Sequence, residues 1–153
     1  MTSINQLFKK LSAALDPEQP QSVSSQDIER VSAILLVEIA RADHQVDQTE
    51  REVIVAALAR SSSLEADALE ALVTEALEEA QATHSLHSHI SVVNEHFAKE
   101  EKIALVEQMW RVAMADGDLD RYEDYTIRKL CDLLFIKHRD FMQAKHRVMS
   151  DSD

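Results

Sequence analysis

Apolar residues recur at helical spacing along almost the whole chain, and strict alternation of the kind that marks strands is missing. Ile4, Leu7, Phe8, Leu11 and Leu15 fall on one face of a short amphipathic helix over 3–15, with Lys9 and Lys10 opposite. Next comes Asp16-Pro17-Glu18-Gln19-Pro20-Gln21-Ser22, a connector, since proline removes a donor and restricts its predecessor. Ser24 or Ser25 can cap a helix running to about Arg41, with Ile28, Val31, Leu35 and Ile39 facing inward. Further helices are predicted from about Gln48 to Arg60, from Leu64 (capped by Ser63) to Gln81, and from Leu86 to Phe97, with a turn at Thr83-His84-Ser85. The strongest pattern covers Lys99 to Met114, where Ile103, Val106, Trp110 and Ala113 form the stripe. Helices from about Arg121 to Leu134 and from His138 to Val148 complete the chain.

Two of these helix pairs enclose the same motif. Ala42-Asp43-His44-Gln45-Val46-Asp47-Gln48-Thr49-Glu50 returns as Ala115-Asp116-Gly117-Asp118-Leu119-Asp120-Arg121-Tyr122-Glu123, offset by 73 positions. The unit is helix, acidic loop, helix, turn, helix, used twice. The expectation is an all-α bundle of about seven to eight helices built from two such units. The domain is expected over 24–149, with the N-terminal helix and its linker (1–23) outside it. That helix can lie on an anionic membrane surface or pack on the bundle. Because the proline connector separates it from the repeat, it is expected to be dispensable for the fold.

Composition narrows the class. One glycine and two prolines leave few turn residues for sheets, and 45% apolar residues with only 5% aromatics imply an aliphatic core. A net charge of −12 opposes nucleic-acid binding, which needs clustered Lys and Arg. Eleven acids against three basic residues lie between Glu38 and Glu79. The lone Cys131 excludes an internal disulfide and fits a reducing compartment. No secretory signal or membrane-length apolar run stands out, so a cytoplasmic protein is expected.

The repeated acids admit two readings. Asp47 with Glu50, and Asp120 with Glu123, have capping-box spacing, and acids suit the positive end of a helix dipole. Val46 and Leu119 would turn inward at the corner. Capping leaves Asp43, Asp116 and Asp118 without a task. Asp116, Asp118, Asp120 and Glu123 put four carboxylates within eight residues, a density of hard oxygen that suits Ca²⁺ or Mg²⁺. The opening resembles an EF-hand loop but departs from it, with Arg121 where glycine is needed. The first copy is poorer, since His44 and Gln45 replace Gly117 and Asp118. His84, His87, His89 and His96 cluster without a nearby cysteine, and the simpler reading is solvated positions on a weak helix. His138 and His146, among Lys137, Arg139, Lys145 and Arg147, give the last helix a basic face toward the acidic centre or a partner. No nucleophile motif or phosphate loop points to catalysis.

The run Ala113-Met114-Ala115-Asp116-Gly117-Asp118-Leu119-Asp120, followed by Glu123 and preceded by Val106-Glu107-Gln108-Met109-Trp110, resembles the TerB-like domain of tellurite-resistance proteins. The likeness covers about Ile28 to Val148. It implies an all-α bundle of two similar halves, and a divalent-cation site mapping onto Asp43, Asp47, Glu50, Asp116, Asp118, Asp120 and Glu123. It further implies a role in tellurite or general stress resistance through partner proteins and membrane-associated complexes. Some members carry a J-domain; the His-Pro-Asp motif of that role is missing here. The expected function is a non-enzymatic helical interaction module. The alternative is a metal-dependent enzyme or metal sensor using the loop carboxylates.

Overall fold

Side chains that take over orphan backbone groups fix where the helices begin and end. The computed structural model describes residues 4–13, 24–43, 46–78, 82–115 and 121–151, and these contain eight helices and no strand. In order they are α1 (Ile4–Ala13), α2 (Ser25–Asp43), α3 (Gln48–Ser61), α4 (Ala66–Glu78), α5 (Ala82–His96), α6 (Lys99–Ala115), α7 (Arg121–Leu133) and α8 (His138–Asp151). The all-α bundle expected from the periodicity is what the chain forms. The proline connector lies outside the described residues.

Ser24 Oγ accepts the N–H of Asp27 at 3.1 Å and starts α2. Ser63 does something other than the capping expected of it. Its N–H and Oγ both donate to Glu29 Oε2, at 3.1 and 2.9 Å, tying the α3–α4 turn to α2, and α4 begins at Ala66. The turn expected at 83–85 is helical, because α5 begins at Ala82.

Helices α2 and α6 pack together at the centre, and α4 and α5 lie on α2 as α8 lies on α6. Helix α3 crosses to α6, and α7 reaches α2. The central helices are therefore buried on most sides: Val31, Leu35 and Ile39 of α2, and Leu105, Val106, Met109 and Trp110 of α6, are fully enclosed. Trp110 meets Phe141 of α8 with ring centroids 5.3 Å apart. Most of the remaining core is Leu, Ile, Val and Ala, as the low aromatic content requires.

Of the two placements expected for α1, packing on the bundle is the one it adopts. Ile4, Leu7, Phe8 and Leu11 are all buried in the same core cluster, against α5 and α4. The Ile4 N–H donates to both carboxylate oxygens of Glu75, at 3.1 and 3.2 Å, so an α4 acid caps the first turn of α1. Lys10 pairs with Asp27 at 3.4 Å. The connector separates α1 in sequence, but its apolar stripe is buried on the bundle.

Helix α7 ends in a Schellman turn. Ile136 N–H donates to Cys131 O at 2.9 Å and Phe135 N–H to Asp132 O at 3.2 Å. The residue between the helices, where glycine is usual, is Phe135, with φ 57°. Two more carbonyls of this end are satisfied by side chains: Asn94 Nδ2 reaches Leu133 O, and Lys102 Nζ reaches Leu134 O, both at 3.1 Å.

Candidate functional site

At the first acidic loop, α2 runs to Asp43 and α3 starts at Gln48. Asp47 stands between them in extended conformation (φ −82°, ψ 176°), and its Oδ1 accepts the N–H of Glu50 at 2.8 Å. The Asp47 half of the capping box expected from the spacing is therefore present at this copy. Val46 is half-buried beside it. Two arginines brace the corner onto α4: Arg51 bonds Glu70 at 3.2 Å and also Thr74, while Arg41 Nη1 donates to Ala76 O at 3.2 Å. The cap is solvent-facing, so Asp47→Ala should lower stability by about 1 kcal/mol, measured by chemical denaturation. An unchanged midpoint would give Asp47 another role.

Of the seven expected cation ligands, Asp47 and Glu50 are thus brought together, as cap and capped amide. The side chain of Asp43, residues Asp116, Asp118 and Asp120, and the side chain of Glu123 lie outside the described residues. Among the described residues no group of three or more His, Cys, Asp or Glu is arranged to hold a metal ion. The sequence still separates the two copies electrostatically. At the 73-residue offset Arg41 corresponds to Met114 and Arg51 to Asp124, so the second loop lacks both flanking cations of the first. Its donors are all hard carboxylate oxygens, which fits Ca²⁺ or Mg²⁺ better than a thiophilic metal.

The histidine cluster corrects one expectation. His87 is exposed and His96 Nε2 lies a loose 3.8 Å from Glu95, consistent with solvated positions. His89 is instead 7% exposed, and its Nδ1 sits 2.6 Å from Oε1 of Glu38, which is 1% exposed. The Phe8 ring stacks on the imidazole at 4.0 Å and 15°. Three helices, α1, α2 and α5, thus meet at one buried acid–imidazole pair. The signal in the sequence was Glu38 inside the apolar run Ile34 to Ile39, because an acid there must find a donor.

Cys131 is buried, and its thiol is pushed up to about 12, first by burial and then by the negative charge of Asp132. It stays a protonated thiol near neutrality and is no nucleophile. The basic face of α8 is partly folded back on the bundle. Arg147 pairs with Glu107, and Lys145 lies 5.1 Å from the centre of the Trp110 ring. No helix among the described residues is long and apolar enough to cross a membrane.

Residues 29–146 match the profile of one protein family, described as Tellurite resistance protein TerB. The chain belongs to the TerB family. The match begins inside α2 and ends inside α8, so it takes in both acidic loops and leaves α1 outside. No curated protein and no solved structure matches the chain.

Proposed function

We propose that this TerB-family chain is a helical interaction module serving tellurite or general stress resistance in the cytoplasm. It works by binding rather than by a reaction of its own, and its second acidic loop takes up a divalent cation. The observation that carries this reading is the family match across both loops. Protein partners, including a membrane-associated complex, are where such a module would act. Asp116, Asp118, Asp120 and Glu123 would hold the ion, which relieves the mutual repulsion of four carboxylates on one turn. Asp43, Asp47 and Glu50 form the weaker counterpart, with Asp47 already engaged as a cap.

An NMR titration of metal-stripped protein with Ca²⁺, Mg²⁺ and Zn²⁺ tests the cation. Shifts should concentrate at Asp116 to Glu123, vanish in Asp116→Asn/Asp118→Asn, and favour the hard ions. Binding should also raise thermal stability by mass action. Diffuse shifts over the acidic surface, equal for all three ions and suppressed by salt, would leave only counterion condensation.

A further inference from the structure

In a chain of net charge −12, one cleft is lined by cations. It has a volume of about 300 Å³ and opens between the first turn of α6 and the α7–α8 turn. Lys99, Lys102 and Lys137 line it together with one acid, Asp140. Asp140 is buried and paired with Lys99 at 3.6 Å, whereas Lys137 is exposed. Lys102 is drawn below the ordinary lysine range by burial, and its Nζ is directed at Leu134 O. His138 and Arg139, both exposed, follow Lys137 directly.

The remaining lining is apolar: Phe97, Ile103, Phe135 and Ile136. Phe135 is the unusual member. It occupies the left-handed position of the Schellman turn, which disfavours a side chain with a Cβ, and it is 80% exposed. The fold therefore tolerates backbone strain to hold an aromatic ring in water at the edge of a cleft. Packing gives no return for this, and backbone strain of this kind gathers at ligand clamps and active sites.

We propose that this cleft docks an acidic peptide segment of a protein partner, one apolar side chain entering against Phe97 and Phe135 while its carboxylates meet Lys99 and Lys137. The proposal rests on the reading of the chain as an interaction module and is independent of the cation. The volume is at the lower end for ligand pockets, about 300–1,000 Å³, and suits a side-chain anchor. Charge complementarity selects an acidic segment, and the apolar floor selects one that carries an anchor. A short segment seated in the cleft meets three lysines and one acid in its lining, while Glu100 and Glu101 of the same α6 turn do not line it. A nucleic acid or an anionic membrane would confront the acidic remainder of the surface as well.

The test uses the full chain and a fluorescein-labelled acidic nonapeptide with one central phenylalanine. Anisotropy should report saturable, salt-sensitive binding, with NMR shifts confined to residues 97–103 and 135–140. Lys137→Glu should weaken binding by about tenfold, and the charge-matched control Lys9→Glu, on α1, should leave it unchanged. Phe135→Gly should weaken binding by a similar factor, about tenfold, while raising the unfolding midpoint, because it relieves the positive φ. Opposite signs in binding and stability are the signature of a residue kept for recognition. Equal affinity of Phe135→Gly and the parent would overturn the proposal. So would equal affinity of a peptide with alanine at its centre, or saturable binding of inorganic phosphate or phosphatidylserine vesicles with none of the peptide. A chain that restores growth on tellurite yet binds no peptide sinks the docking site alone. A chain that binds the peptide but does not restore growth sinks the stress-resistance reading alone.

Discussion

Deleting residues 1–21 is expected to lower the stability of the chain by about 3 kcal/mol, or roughly 6–12 °C in unfolding midpoint for a domain of this size. The deletion removes Ile4, Leu7, Phe8 and Leu11 from the core. Each such side chain contributes roughly 1.5–3 kcal/mol through burial. Ordering α1 in the intact chain costs conformational entropy, which offsets part of that gain. The sign is set by what α1 leaves behind: newly wetted surface on α4 and α5, and an imidazole without its stacked ring. Thermal unfolding followed by circular dichroism checks this. A midpoint within about 2 °C of the intact chain would return α1 to the status of an appendage.

The second large effect concerns the buried pair. His89→Leu should destabilise by about 3–5 kcal/mol, since the Glu38 carboxylate then stays in the core without its 2.6 Å donor. Adding Glu38→Leu should recover most of the loss, because replacing both members of a buried pair by apolar residues of similar size is often close to neutral. The double variant therefore tests mechanism, while the single one tests only magnitude. A double variant as unstable as His89→Leu would mean that shape, and not the lost polar contact, sets the cost.

Both effects arise where the sequence was hardest to read. The helices themselves were legible, because apolar periodicity, Ser24 and Asp47 fix most of their faces and starts. The motif duplication drew attention to the α2–α3 and α6–α7 corners, and α1 and α5 have no counterpart in it. Yet these two helices cover the side of α2 that bears Glu38. At the 73-residue offset its counterpart is Arg111, which stays exposed on α6. Burial of His89 is thus a consequence of α1 docking, which no local pattern across a proline connector reveals. The starts of α4 and α5 were misplaced, and for α4 the reason is similar: Ser63 has a tertiary partner in Glu29, and tertiary bonds override capping propensity. Phe135 shows a third limit. Glycine at that position would have announced the turn, whereas phenylalanine conceals it. The candidate cation ligands were legible as a constellation of acids. Only the Asp47–Glu50 cap among them has a described geometry.

Growth on tellurite tests the account most directly. The native host lacking this gene should become tellurite-sensitive, and the intact chain should restore resistance. The Asp116→Asn/Asp118→Asn/Asp120→Asn variant should not restore it, although circular dichroism shows the variant folded. Equal resistance with and without the gene, over a range of tellurite concentrations, would contradict the proposed role. Full rescue by the triple variant would contradict a part for the second acidic loop in it.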